Sequence, residues 1–154
     1  MARRVFISYQ HEDRAKAKGF NLLRWNKNVA IEFVGRHLLD PVDSDNPAYI
    51  RTKVLEQLKG TSVSVVLIGK ATHGSDWVSD EIQWSLDKGN GIVGIKLEPG
   101  VPVPEVLNAC GAEIVEWDPH RFGDAIERAA LAARRVPSIV ASASEDMDPC
   151  NRET

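Results

Sequence analysis

Five short apolar runs without regular polar alternation recur along the chain. They cover residues 5–9, 29–34, 61–69, 91–97 and 112–117, and the second is the weakest. Runs of this length are typical of strands that are buried on both faces, as in a parallel sheet covered by helices. The pattern therefore predicts five parallel strands.

Apolar residues at helical spacing mark the segments between and after these runs. Helices are predicted at residues 13–26, 46–60, 75–89 and 118–135. The third is framed by Ser75, a favoured N-cap, and Gly89, a favoured C-terminal stop. The fourth begins at Asp118 and Pro119, because proline fits the first helical position. Helices therefore separate most of the predicted strands.

This alternation predicts the fold class. Because crossovers between parallel strands are right-handed, it indicates a doubly wound five-stranded parallel sheet in three α/β/α layers, flavodoxin-like in strand order. Residues 3–135 are expected to form one domain. Residues 136–154 are rich in Ser, Asp, Glu and Pro, and we expect them to be a disordered C-terminal tail.

Composition and charge narrow the classes of function. The 154 residues carry 19 Lys and Arg against 22 Asp and Glu, so the charge balance gives no reason to expect binding to nucleic acid or to an anionic membrane. No apolar stretch is long enough to span a bilayer, and no signal peptide is recognisable, so we expect a cytoplasmic protein. The two cysteines and four histidines lack the spacing of metal ligands, so no metal site is expected.

The first candidate site lies where the first strand ends. Ser8, Tyr9, Gln10 and His11 follow the apolar run directly. In doubly wound sheets, ligands bind beyond the carboxyl ends of the strands at the point where the strand order reverses. The alternative is that this is an ordinary polar loop after a strand.

The second candidate site lies on the third predicted helix. Trp77, Glu81 and Trp84 are four and three residues apart and therefore share one face, offset from its apolar stripe. Apolar surroundings would disfavour the ionised carboxyl of Glu81 and make it responsive to a cation or a sugar hydroxyl. The alternative is that Trp77 packs under a loop and Glu81 is solvated.

Taken together, the two motifs resemble the TIR superfamily. "RRVFISYQHED" is similar to its first strand and loop, where VFISY-x-x-x-D is typical, and "SDWVSDE" is similar to its S-x-W-x-x-x-E segment. "KGNGIVGI", after the helix, narrows the resemblance to TIR-like proteins of bacteria and archaea that include the sensor subunit of Thoeris anti-phage systems. The resemblance covers most of residues 3–118, but residues 34–47 do not match the loop of animal and plant TIR domains.

The resemblance implies an enzyme that cleaves the nicotinamide–ribose bond of NAD, which is the substrate and not a cofactor. Glu81 would be catalytic, and Phe6, Ser8, Tyr9 and Trp77 would bind the substrate. It also implies a cyclic ADP-ribose-type product that signals to an effector protein, and self-association on activation. The rival class is a non-catalytic TIR-like assembly module in which Glu81 is structural.

Overall fold

The computed structural model describes residues 3–23, 33–36 and 47–143. The strands are β1 (Arg3–Ser8), β2 (Phe33–Arg36), β3 (Val63–Ile68), β4 (Gly91–Lys96) and β5 (Glu113–Val115). The helices are α1 (Arg14–Leu22), α2 (Pro47–Leu58), α3 (Asp76–Lys88), α4 (Glu105–Ala109) and α5 (Pro119–Ala143). Two 3₁₀ turns, His11–Asp13 and Thr72–Gly74, lead into α1 and α3.

All five strands belong to one parallel sheet in the order β2-β1-β3-β4-β5. This order confirms the predicted flavodoxin-like fold, with β1 inside the sheet. Ser8 is in register with Val66 of β3, so the segments that follow β1 and β3 leave the sheet side by side. They leave it at the point where the strand order reverses, where α/β sheets bind their ligands.

The two faces of the sheet carry separate cores. Successive side chains of a strand point to opposite faces, so Val5 and Ile7 pack towards α1 and α5, whereas Phe6 packs towards α2 and α3. A third cluster joins Val66 and Ile68 of β3 to the faces of α3 and α4. Helices therefore cover the sheet on both sides, and no helix among the described residues is long and apolar enough to cross a membrane.

Gly91, the first residue of β4, marks a close approach of α5 to the sheet. A Cβ atom at this position would lie 2.2 Å from the backbone oxygen of Ala129. Because a backbone atom cannot move aside as a flexible side chain does, we expect Gly91→Ala to destabilise the fold by about 1–3 kcal/mol. Urea denaturation measures this change.

Gly19 of α1 provides the matched control. No atom lies within 4 Å of the position that its Cβ would occupy. Since alanine is a better helix former than glycine, Gly19→Ala should leave stability unchanged or raise it by up to about 1 kcal/mol. Equal effects of the two substitutions would contradict the close approach of α5.

Helix α4 and strand β2 differ from the pattern-based expectation. Helix α4 was not predicted, because five residues that follow Pro102 and Pro104 are too few to show a helical period. Strand β2 includes residues 33 and 34 of the predicted strand and continues to Arg36. Residues 29–32 of that prediction, and residues 37–46 of the unmatched stretch, lie outside the described residues.

Helix α5 continues past the predicted end of the domain. It continues to Ala143, eight residues beyond the expected boundary at residue 135, so residues 136–143 are helical and not a disordered tail. Val136, Ile139 and Val140 are three and four residues apart, which continues the helical spacing of apolar positions. The rest of the expected tail, residues 144–154, lies outside the described residues.

Candidate active site

Helix α3 carries the central residue of the site. Its start and end follow the predicted signals: the Ser75 hydroxyl accepts a hydrogen bond from the Val78 N–H at 3.2 Å, and Gly89 ends the helix in the left-handed conformation at φ 94°. Val78 and Ile82 bury the apolar stripe against β3. The helix therefore presents a second face, offset from this stripe.

That second face brings the two predicted motifs together. The hydroxyl of Ser8, the last residue of β1, donates a hydrogen bond to Oε1 of Glu81 at 2.5 Å. The exposed fraction is 2% for Ser8 and 4% for Glu81. The two motifs, 73 positions apart in the chain, thus meet in one buried hydrogen bond.

The surroundings of Glu81 change its acidity. Burial raises the pKa of this carboxyl from the ordinary 4.5 to about 8. Hydrogen bonds from Ser8 and, more weakly, from the Trp77 side chain favour the anion and oppose this rise, while the neighbouring charge of Asp80 adds to it. At neutral pH the buried group is therefore largely a protonated acid, close to the pH at which it would ionise.

Aromatic side chains form a cluster on the face of the sheet that α3 covers. Phe6 is fully buried with Val54 of α2, and Trp77 and Trp84 pack against this cluster. The two indole rings are 6.0 Å apart and nearly perpendicular, an arrangement favoured by aromatic quadrupoles. Of the predicted substrate-binding residues, Ser8 and Trp77 are hydrogen-bonded to Glu81, and Phe6 lies in the cluster that Trp77 joins.

Tyr9 lies elsewhere. It belongs to the core on the opposite face of the sheet, with Ala17 and Phe20 of α1. Tyr9 directly follows β1 and continues the alternation of its side chains, so it joins Val5 and Ile7 on the face opposite to Ser8. The structure therefore does not group Tyr9 with Glu81.

Sequence reasoning missed a contact between the segments that follow β1 and β3. The Asp13 carboxyl accepts a hydrogen bond from Thr72, whose hydroxyl accepts one from the Gly69 N–H at 2.8 Å. A Cβ atom on Gly69 would lie 2.3 Å from Oδ2 of Asp13, so this carboxyl lies directly against the glycine backbone. The signal was present, since Asp13 is the last residue of the VFISY-x-x-x-D pattern. This contact holds together the two segments beside the Ser8–Glu81 pair.

The Glu81 carboxyl is closed off from solvent, as its low exposure shows. A cavity of about 340 Å³ lies at the β5 edge of the sheet, lined among others by Glu113, Arg121 and Arg128. Arg128 donates to both carboxylate oxygens of Glu113 at 2.9 and 2.7 Å. In the sheet, β3 and β4 separate this edge from β1, so the cavity is distinct from the Ser8–Glu81 site.

The strand order defines a flavodoxin-like α/β domain. The fold is similar to the crystal structure of the TIR domain of the Toll-related receptor TRR-2 from Hydra magnipapillata, with a TM-score of 0.52 at 18% sequence identity. The similarity covers 84% of this chain and 97% of that domain. Residues 6–100 match the family described as "Thoeris protein ThsB, TIR-like domain", and the chain belongs to this family.

A curated relative supports the same assignment. The chain is 33% identical over 103 residues to a protein of Bacillus cereus (strain MSX-D12) named "Putative cyclic ADP-D-ribose synthase ThsB1". The match covers 63% of this chain and 53% of that protein, so the chain spans about half the length of this relative. The resemblance predicted from the sequence motifs is confirmed.

Proposed function

We propose that this chain processes NAD in anti-phage defence by cleaving the nicotinamide–ribose bond at Glu81. The observation that carries the proposal is the buried Ser8–Glu81 hydrogen bond, which unites the two TIR motifs at the carboxyl end of the sheet. Membership of the ThsB family and the name of the Bacillus relative support it. In this proposal NAD is the substrate, and no further cofactor takes part.

The proposed reaction requires a carboxylate beside the ribose. When the bond between C1′ and the nicotinamide nitrogen breaks, its electron pair leaves with nicotinamide, and positive charge develops on the ribose ring. An ionised Glu81 stabilises that charge and accepts hydrogen bonds from ribose hydroxyls. The carbon C1′ is then captured either by another part of the same molecule, giving a cyclic ADP-ribose-type product, or by water. We favour the cyclic product because of the name of the relative.

Substrate binding provides a reason for Glu81 to ionise. The nicotinamide ring of NAD carries a positive charge, and a cation close to a carboxyl lowers its pKa. A group whose pKa is about 8 in the free chain would therefore lose its proton as NAD binds. Ser8 then holds one carboxylate oxygen by its hydroxyl, while Trp77 and Phe6 supply aromatic surface for the substrate.

Opening of the site is part of the proposal. With only 4% of Glu81 exposed, ribose cannot reach the carboxyl without a rearrangement of the residues that cover it. We propose that self-association on activation causes this opening, and that the released nucleotide carries the signal to an effector protein. An isolated chain would then have low activity until it is activated.

Product analysis tests the proposed function. Purified protein is incubated with NAD, with and without a crowding agent or a phage lysate fraction, and the products are separated by chromatography and identified by mass spectrometry. We expect free nicotinamide and a nucleotide product one water lighter than ADP-ribose. Release of nicotinamide with ADP-ribose alone would support the cleavage but not the cyclisation.

The burial of Glu81 favours a second candidate, a non-catalytic assembly module. A carboxyl that is closed off and hydrogen-bonded to Ser8 could serve only to hold α3 against β1. This candidate predicts that NAD stays intact under every activating condition while the protein still associates with itself. Product analysis and light scattering on the same samples distinguish the two.

A further inference from the structure

A network of buried polar side chains runs along the contact between α3 and the sheet. Among the described residues, the buried polar side chains other than Thr72 all belong to it: Ser8, Thr61, Ser64, Glu81, Ser85 and Asn90. Polar groups in a protein interior are costly unless they are hydrogen-bonded, so their concentration at one interface requires an explanation.

The hydrogen bonds of this network lead from donor to acceptor in one direction, from Asn90 towards Glu81. The Asn90 amide donates to Ser64 at 3.2 Å, and the Ser64 hydroxyl donates to Ser85 at 2.7 Å. The Ser85 hydroxyl donates in turn to the backbone carbonyl of Glu81 at 2.8 Å. An unbroken path thus leads from the start of β4 through β3 to the residue that we propose to be catalytic.

The far end of the path is firmly held. The second hydrogen of the Asn90 amide is donated to Thr61 at 3.0 Å, and the amide oxygen accepts from Lys88 at 3.1 Å. Lys88 also donates to the backbone carbonyl of Thr61 at 2.7 Å. Both amide hydrogens of Asn90 are used, which accounts for the Lys and Asn of the "KGN" motif. A fully satisfied network of this kind rigidifies the elements that it joins.

Glu81 therefore lies between two polar anchors on neighbouring strands. Its side chain is bound to Ser8 of β1, and its backbone is bound through Ser85 to Ser64 of β3. The apolar contacts of α3 are non-directional and tolerate small shifts of the helix, whereas hydrogen bonds of fixed geometry do not. We propose that Ser64 and Ser85 are positioning residues that set the placement of α3 and thereby hold the Glu81 carboxyl against Ser8.

The catalytic consequence of this inference rests on the proposed function, but the placement itself does not. If the path only satisfied buried hydroxyls, breaking it would lower stability and leave the surroundings of Glu81 unchanged. If it positions Glu81, breaking it would let the helix shift and water reach the carboxyl. The acidity of Glu81 then reports the placement directly, because burial is the main cause of its raised pKa.

The test uses Ser85→Ala in the full chain. Alanine is the most favourable helix residue, so this variant should fold. We expect the pKa of Glu81, followed by carbon-detected NMR of its side-chain carboxyl, to fall by about one unit or more. In activated protein we expect kcat for nicotinamide release to fall by up to about 10²-fold, with KM little changed. Ser64→Ala is the second variant and should act in the same direction.

Val65→Ala provides the matched control. Val65 is next to Ser64 in β3 but packs in the core on the opposite face, so its truncation destabilises the fold without breaking the path. We expect Val65→Ala to lower the melting temperature and to leave the pKa of Glu81 as in wild type. An unchanged pKa in both serine variants would overturn the inference. The pKa is measured without turnover, so absence of NAD cleavage in wild type would count against the proposed function alone.

Discussion

Replacing Glu81 by Gln is expected to lower nicotinamide release from NAD by about 10²- to 10³-fold while the fold is kept. Gln has nearly the shape of the protonated side chain that the resting site contains, and it can still accept the hydrogen bond from Ser8. It cannot become an anion when positive charge develops on the ribose. The loss is therefore expected mainly in kcat, because the positive charge on the ribose develops in the transition state.

The measurement follows nicotinamide release by wild type and Glu81→Gln under the same activating conditions. Glu105→Gln, at an exposed position of α4, is the control for removing one negative charge and should behave as wild type. Melting curves of all three proteins verify folding. If Glu81→Gln and wild type released nicotinamide at equal rates, Glu81 would not be catalytic and the assembly module would be preferred.

The same substitution should change how stability depends on pH. Glu81 has a pKa of about 8 in the folded chain and near 4.5 when unfolded, so between these values the folded chain holds a proton that the unfolded chain has lost. The stability that Glu81 contributes is fully present below its pKa in the unfolded chain and is lost as pH rises through its pKa in the folded chain. In this window the free energy of unfolding should fall by up to about 1.4 kcal/mol per pH unit.

Glu81→Gln has no proton to lose at this position, so the variant lacks this pH-dependent fall in the free energy of unfolding. Urea denaturation across this pH window gives the free energy of unfolding of each protein, and their difference isolates Glu81. The raised pKa of Asp13 contributes to both proteins and cancels. We expect the free energy of unfolding of the variant to increase steadily relative to that of wild type as pH rises. Parallel curves would mean that Glu81 is ionised and solvated in the folded chain.

Much of the fold could be predicted because its cause is local. The apolar runs at β1, β3 and β4 and the cap residues Ser75 and Gly89 act within a few positions of themselves. Helix α4 escaped prediction because a single turn shows no period. The end of α5 was placed too early because the polar composition after residue 135 outweighed the spacing of the remaining apolar residues.

The candidate site was predictable where a general rule links distant segments. The parallel topology brings the end of β1 beside the segment that leads into α3, which is why Ser8 and Glu81 meet. The same motif predicted that Tyr9 binds the substrate, but its side chain points to the opposite face of the sheet. A shift of one residue reverses the direction of a strand side chain. Motif membership alone does not reveal this reversal.

The polar path through α3 could not be predicted from spacing. Ser64 and Ser85 are 21 positions apart, and Ser64 and Asn90 are 26 apart, so their contacts depend on how α3 and β4 pack on β3. Taken alone, none of these three residues has a sequence feature that marks it as a partner of the other two. Only the tertiary structure shows that their donors and acceptors form one directed series.

The central claim is that Glu81 is a buried acid that ionises when NAD binds. The most direct measurement is an NMR titration of the Glu81 side-chain carboxyl, assigned by its absence in Glu81→Gln. It is made in the resting protein without NAD, and in activated protein with and without an NAD analogue that resists cleavage but keeps the cationic ring. We predict a pKa near 8 in the resting protein, and in activated protein a clear fall when the analogue is bound. An ordinary carboxyl pKa that the analogue does not move would contradict the account.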